Sequence, residues 1–254
     1  MCISLSAVAQ EKTINLDKDK PASNREILSK HKVMLIPFEN RMYMSEIDQL
    51  INKETKLSAK QIKAAFRDGL DDQLYKKLKS RMGVVSLLDD TAKTKKDLEN
   101  IYQYLAYDYQ KVPNQANYSP PKNEKEQKGI EKGQIVVETN SDARFMNAKI
   151  KNATLVPFLT GKYKTDLYVF VNQLEIRSAN PALNYDLNAD NPRKIIVHYT
   201  VYTSDAKEIN SGIAETTFPQ NINNPTKIVN SYFSVIAETI AARVEKALLP
   251  KPQH

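Results

Sequence analysis

Residues 184–192 contain acidic and amide side chains with the spacing of a calcium site. Asp186, Asn188 and Asp190 occupy alternate positions, and such alternation in a loop places oxygens around a hard cation. A calcium loop also needs a bidentate carboxylate at its twelfth position, where this sequence has Val197. Asx residues also form ordinary turns. The stretch therefore predicts either a calcium-dependent adhesion or carbohydrate-binding module or a plain hairpin loop.

A charged tip after an apolar strand is the second candidate site. Residues 32–38 predict a buried strand that runs directly into Glu39, Asn40 and Arg41. Open α/β sheets present their ligand-facing loops at the carboxyl ends of parallel strands. We therefore predict a partner-binding site at Phe38, Glu39, Asn40 and Arg41, with an ordinary polar loop as the alternative.

A hydrolase is a further alternative, because Glu39 could act together with Asp89 at the end of a neighbouring strand. Such an enzyme needs two carboxyl groups that converge in a pocket with pKa values pushed apart. The histidines, His31, His198 and His254, form no spaced zinc motif, and no nucleophile elbow or phosphate-binding glycine loop occurs. The sequence therefore favours a protein that is not an enzyme and needs no cofactor.

The first residues indicate export. Residues 3–9 are apolar or small, and Ala-Val-Ala at 7–9 fits the small-x-small rule for signal peptidase, although a basic n-region is absent. Cleavage there would make the mature chain begin near Gln10 and would remove Cys2, the single cysteine. A frayed amino terminus is the alternative. We predict a periplasmic or otherwise exported protein.

The charge of the chain bears on its partners. The formal net charge is +7, which favours anionic partners. The lysines are scattered among carboxylates, however, and no compact basic stripe interleaves with aromatic residues, so we expect no nucleic acid. No apolar run approaches the roughly 20 residues that span a bilayer. We expect another envelope protein or an envelope polymer as the partner, and the oligomeric state stays open.

The domain organisation follows from composition. We predict one α/β domain over residues 32–249, preceded by a signal peptide remnant at 1–9 and a polar lead-in at 10–31, and followed by a tail at 250–254. Residues 113–133 are rich in proline, lysine and glutamate and have little to bury. They predict a flexible insert within the domain.

The first half of the domain predicts a β-α-β unit. Ser58 and Gln61 form a capping box, and apolar residues recur every fourth position after it, which predicts a helix over 58–82. Residues 84–88 predict a strand that pairs in parallel with the first strand through a right-handed crossover. A second helix is predicted over 94–110.

The second half predicts a mostly antiparallel sheet and a long C-terminal helix that begins at Asn224 and Pro225. The predicted strands are 134–139, 154–159, 166–177, 193–203 and 208–218. The predicted fold class is therefore α/β, a mixed β-sheet with an N-terminal β-α-β unit, a central antiparallel hairpin region and a long C-terminal helix.

The order of these elements resembles a family of envelope proteins related to the curli secretion protein CsgG, which includes LpoB and the N-terminal domain of TolB. "VMLIPFEN", an amphipathic helix and "MGVVSLLDD" resemble the family's first β-α-β unit, and "TDLYVFVNQLEI" and "IIVHYTVYTSDAKEINSGIAE" resemble its central strands. The resemblance covers 32–90 and 164–249. The hairpin turn lacks the family's usual glycine, and the insert at 91–163 is long. The resemblance implies a non-enzymatic binding or accessory protein of the cell envelope.

Overall fold

The computed structural model of the protein describes residues 23–111, 130–131, 134–135, 144–181 and 191–250. It confirms the predicted fold class, because a mixed sheet of parallel and antiparallel strands packs against helices and the chain closes with a long helix. Within the described ranges, no helix combines the length and the apolar character that a membrane span requires.

The helices are interspersed among the strands along the chain. In chain order they are α1 (Asn24–Ser29), α2 (Asp48–Thr55), α3 (Ala59–Lys79), α4 (Thr91–Gln103), α5 (Leu155–Tyr163) and α6 at the carboxyl end. Helix α6 is α-helical over Pro225–Ile228, π-helical over Val229–Phe233 and α-helical again over Ser234–Leu248. The Asn224 side chain accepts a hydrogen bond from the backbone N–H of Lys227, so the predicted cap is confirmed.

The main sheet has the strand order β10-β9-β8-β1-β3, and β2 pairs with the distal part of β8. Strand β1 is parallel to both of its neighbours, whereas β9 runs antiparallel to both β8 and β10. The described strands are β1 (Lys32–Ile36), β2 (Tyr43–Ser45), β3 (Gly83–Ser86), β4 (Leu105–Lys111), β5 (Ile130–Glu131), β6 (Gln134–Ile135), β7 (Arg144–Ile150), β8 (Leu167–Ser178), β9 (Arg193–Thr203) and β10 (Glu208–Phe218).

The predicted β-α-β unit is β1, α3 and β3. The side chain of Ser58 accepts from the backbone of Gln61 and completes the capping box at the start of α3. Strands β1 and β3 are parallel neighbours, with Leu35 opposite Ser86. Helix α3 ends at Lys79 instead of at residue 82, because the chain must already turn into β3, whose first residue is Gly83.

Two apolar layers cover the two faces of the main sheet. Alternate residues of β1 point to opposite faces, so Val33 and Leu35 pack with the helices α3 and α6, whereas Met34 and Ile36 pack with α4 and α5. Burial on both faces explains why the central strands read as continuous apolar runs.

Strands β4 and β7 form a separate antiparallel pair, and side chains of β9 dock the free edge of β7 on the main sheet. The backbone N–H of Met146 donates to Nδ1 of His198 at 2.8 Å, and the N–H of Ala148 donates to Oγ1 of Thr200 at 3.2 Å. The hydroxyl of Tyr202 donates to the carbonyl of Ala148 at 2.8 Å. An edge whose backbone groups are bonded in this way is closed to further strand pairing.

The predicted helix over 94–110 is wrong in its second part. The helix α4 ends at Gln103, and residues 105–111 form β4, which pairs with β7 along its whole length. Leu105, Tyr107 and Tyr109 alternate with the smaller or polar residues 106, 108 and 110, and this period of two together with the β propensity of tyrosine favours a strand. Pairing with β7, which is distant in the sequence, makes this segment a strand.

The predicted strand at 154–159 is also wrong, because this segment lies in α5. Pro157 occupies the third position of that helix, within the first turn, where a backbone N–H has no partner inside the helix and proline is tolerated. Leu155, Val156 and Leu159 are buried against the sheet, and their spacing fits one face of a helix.

Some predicted segments fall partly or wholly outside the described residues. Of the predicted insert at 113–133 only β5 is described, and it pairs with β6, which starts the predicted strand at 134–139. The helices α1 and α2 were not predicted, because both are short and polar.

Candidate functional site

The loop after β1 lies at the carboxyl edge of the parallel strands, as predicted. Asn40 and Arg41 are exposed, and Glu39 is half-buried. Phe38 is only 1% exposed and stacks against Tyr43, so its place in the predicted partner-binding site is corrected. An aromatic ring at this position gains more from the core than from solvent, and the surface of the loop is formed by the three residues that follow.

Two helices from opposite faces of the sheet hold this loop. Arg67 of α3 donates from Nε to the carbonyl of Phe38 at 3.1 Å, and Tyr102 of α4 donates to the carbonyl of Pro37 at 2.7 Å. The two side chains also meet, because a terminal nitrogen of Arg67 donates to the Tyr102 hydroxyl at 2.9 Å. The end of β1 is therefore fixed by hydrogen bonds that cross the top of the sheet.

The exposed part of the loop is ordered by further contacts. The guanidinium of Arg41 approaches Glu39 with Nε 2.8 Å from Oε2 and stands 5.9 Å from the ring centroid of Tyr107. The close carboxylate of Glu39 raises the pKa of Arg41 above its usual value. Lys63 donates to the carbonyl of Asn40 at 3.0 Å. The loop thus presents a cation whose direction is set in advance.

A buried carboxyl group lies near Arg67 and Tyr102, the two side chains that hold this loop. Asp71 of α3 is 7% exposed, and its Oδ2 accepts a hydrogen bond from the hydroxyl of Ser86 at the end of β3. Burial raises the pKa of Asp71 from 3.8 to about 7, the Ser86 hydrogen bond opposes this, and the charge of Asp89 adds to it. Asp71 can therefore carry a proton near neutral pH.

Tyr102 keeps its proton under ordinary conditions. Burial raises the pKa of its phenol to about 12, and the charges of Glu39 and Asp71 act in the same direction, whereas Arg67 opposes them. A protonated phenol can donate to Pro37 while it accepts from Arg67. The hydrogen bonds that hold the loop therefore do not depend on pH in the neutral range.

The two carboxylates of the hydrolase alternative belong to strand ends that are adjacent in the sheet. Glu39 approaches Arg41, whereas Asp89 is exposed and acts on the buried Asp71. Ser86 is buried and its hydroxyl is directed to Asp71, so this hydroxyl is not presented to a substrate.

Arg67, Asp71 and Tyr102 are the residues that the sequence analysis missed. Arg67 and Asp71 are four residues apart on α3, in the row next to the apolar stripe, and such a pair shares a helix face. Two charged residues that border the apolar stripe of a helix indicate side chains that could reach partly buried partners, and this was the available signal for Arg67 and Asp71. Tyr102 is one of four tyrosines, at 102, 104, 107 and 109, that predict either the solvent boundary of a core or a stacking surface, but its hydrogen bonds to β1 and α3 have no local signal.

The two histidines among the described residues, His31 and His198, serve the fold, and His254 lies outside those residues. His31 Nδ1 lies 2.5 Å from Asp166, which also accepts from the backbone of Lys32, and this joins the start of β1 to the start of β8. His198 accepts from β7, and its Nε2 lies 3.2 Å from Glu175. The nearby ring of His198 holds the pKa of Glu175 below its usual value.

The predicted calcium ligands, Asp186, Asn188 and Asp190, lie outside the described residues. Next to them, the side chain of Asn191 donates to Ser178 Oγ at 2.8 Å and to the carbonyl of Asn180 at 2.9 Å, which ties the two ends of the connection between β8 and β9 together. Over the part of the chain that the structure describes, no group of three or more His, Cys, Asp or Glu side chains could hold a metal ion.

Comparison with known proteins identifies no family for this chain. No protein-family model and no curated protein matches the chain. Among solved structures, the hypothetical protein CT253 from Chlamydia trachomatis is similar with a TM-score of 0.39 and 11% sequence identity, over 86% of this chain and 97% of that one. A TM-score this low supports no conclusion about fold or function.

Proposed function

We propose that this chain is an exported, non-enzymatic binding protein of the cell envelope that contacts another envelope component through Glu39, Asn40 and Arg41. Export is supported by the Ala-Val-Ala sequence at residues 7–9. The class of function is supported by the resemblance to the CsgG-related envelope proteins.

The observation that carries the proposal is a loop that is both exposed and firmly held. Arg67 and Tyr102 fix the backbone on either side of Phe38, yet Asn40 and Arg41 remain open to solvent. A loop that is ordered before binding loses less conformational entropy in a complex. The ordered loop after β1 is therefore suited to binding a partner.

Affinity capture from envelope extracts of the native host tests the proposal. Asn40→Ala combined with Arg41→Ala should reduce the amount of a specifically retained component by about tenfold or more, which corresponds to about 1.4 kcal/mol of binding free energy. The matched control is Asn24→Ala with Arg25→Ala, which changes the same residue types in exposed positions of α1, before the start of β1.

The control variant and the unchanged chain should retain the same component equally. The chain purified from the same host should begin near Gln10 in N-terminal sequencing. Equal retention by the loop variant, or a mature chain that keeps Met1, would contradict the proposal.

A further inference from the structure

We propose that Arg41, Met44 and Tyr109 form one docking surface, and that its partner is a protein segment with a carboxylate beside apolar side chains. This inference rests on the proposed function and names the class of partner. It extends the site from the loop after β1 to the strand β4, which the sequence analysis assigned to a helix.

Arg41 supplies the charged part of the surface. Its side chain is 66% exposed, and its contact with Glu39 uses Nε. Tyr107 lies beside the guanidinium at 5.9 Å and is itself buried enough to raise the pKa of its phenol. The guanidinium is therefore held between an acid and a ring, and its Nη groups are available for the planar, two-pronged contact that arginine makes with a carboxylate.

Met44 and Tyr109 supply the apolar part. Met44 is 54% exposed and Tyr109 is 51% exposed, although both lie in strands. The exposure of Met44 follows from the alternation of side chains along a strand. Tyr43 stacks on Phe38 in the core, so Met44 points to the opposite face of the sheet.

One buried side chain joins the two apolar residues. The hydroxyl of Tyr109 donates to Oε1 of Gln173 at 3.2 Å, and Nε2 of the same amide lies 2.9 Å from the sulfur of Met44. Tyr107 and Tyr109 are two positions apart in β4 and share a face. Arg41, Met44 and Tyr109 are therefore parts of one continuous surface.

The chemistry of this surface favours a protein partner over a glycan. Tyrosine, methionine and arginine are enriched in protein interfaces, and tyrosine and arginine are common among the residues that dominate their binding energy. A glycan needs several free hydrogen-bonding groups beside an exposed ring. The amide of Gln173, however, is buried and already bonded to Tyr109 and Glu175.

Selection from a random peptide library displayed on phage, with the full chain immobilised, tests this inference. We expect peptides that carry an aspartate or glutamate next to apolar residues. For a synthetic peptide of the selected sequence, Arg41→Gln and the pair Met44→Ser with Tyr109→Ser should each weaken binding by about tenfold to a hundredfold. Asn24→Ala with Arg25→Ala should leave the affinity unchanged.

A charge exchange makes the test specific. The variant Arg41→Glu should lose the selected peptide and should bind a peptide in which lysine replaces the acidic residue. Circular dichroism of each variant checks that the fold is intact. A selection without Arg41-dependent peptides, or binding that needs no acidic residue, overturns the inference.

Purified envelope polysaccharide separates the inference from the proposed function. If the chain binds this polymer in an Arg41-dependent manner and selects no peptide, the proposed function stands and the protein partner is wrong. If neither the captured component nor any peptide depends on Arg41, the proposed function fails as well.

Discussion

Asp71 is a carboxyl group whose pKa is set mainly by burial. Its carboxyl group lies near Arg67, which holds the candidate loop, and burial raises its pKa from 3.8 to about 7 in the folded chain. The folded state therefore binds this proton more tightly than the unfolded state. The stability that the proton contributes is complete below about pH 4 and is lost as the pH rises to about 7.

Asp71→Asn should remove this pH dependence, because an amide of the same shape can accept from Ser86 without carrying charge. We expect the variant and the unchanged chain to have similar free energies of unfolding near pH 4. At pH 8 the variant should be more stable by about 2–4 kcal/mol, since each pKa unit corresponds to about 1.4 kcal/mol. Urea unfolding at a series of pH values measures the difference.

Asp72→Asn is the control on the same helix. The side chain of Asp72 is 51% exposed and lies 2.5 Å from Lys76, and such surface pairs contribute about 1 kcal/mol or less. Asp72→Asn should therefore change the free energy of unfolding by about 1 kcal/mol or less at every pH of the series. If the free energies of unfolding of the unchanged chain and of Asp71→Asn vary with pH in the same way, ionisation of Asp71 does not destabilise the fold and the prediction is wrong.

At the scale of single residues, the sequence predicted the position of the candidate loop but not what holds it. Asn40 and Arg41 follow an apolar strand and are exposed as expected. Phe38 looked like part of the surface, because the sequence does not tell which side of the strand end faces the core. Arg67 and Tyr102 act through the backbone of β1, and such contacts depend on packing that no local pattern encodes.

At the scale of elements, the contact between α3 and the π-helical part of α6 depends on a glycine. A Cβ atom at Gly69 would lie 2.6 and 2.7 Å from the two γ carbons of Val229. Valine has one strongly preferred rotamer in a helix and cannot easily move away. The two helices therefore pack at a distance that only glycine permits.

Gly69→Ala should destabilise the protein by about 1–3 kcal/mol through overpacking, even though alanine improves helix propensity by about 1 kcal/mol. Val229→Ala alone should also destabilise it, because it removes packed atoms. In the double variant the clash is gone and the propensity gain remains. We expect a double-mutant cycle from urea unfolding to give a favourable coupling of about 1 kcal/mol or more. A stabilised Gly69→Ala variant would refute this account.

Elements with strong local signals were predicted and elements decided by distant partners were not. The helix α3 has a capping box and a regular apolar stripe, so its own sequence is sufficient to predict it. The strand β4 needs β7 as its partner, and the helix α5 needs the apolar face of the sheet. The short apolar run that begins α5 suits a helix or a strand equally well, and the period of two in β4 is too short to show where the preceding helix ends.

At the scale of the whole molecule, the main sheet draws its strands from both halves of the chain. Strands β1 and β3 come from the first half, whereas β8, β9 and β10 come from the second. Strand β1 lies between β3 and β8, and it is parallel to both. Helices of the two halves also meet, because Arg81 after α3 pairs with Glu238 and Glu245 of α6. Neither half could cover its own apolar surface.

A cut in the chain between β4 and β7 should therefore leave the two parts together. A site for a sequence-specific protease is placed within residues 113–133, and the cleaved protein is passed over a size-exclusion column under native conditions. Both fragments should elute at the volume of the uncut variant, because the pairs β1–β8 and β4–β7 and the packing of α3 on α6 all bridge the cut. In concentrated urea the same fragments should separate. Separate, folded fragments under native conditions would mean that each half is a domain by itself and that the shared sheet is not what holds the molecule together.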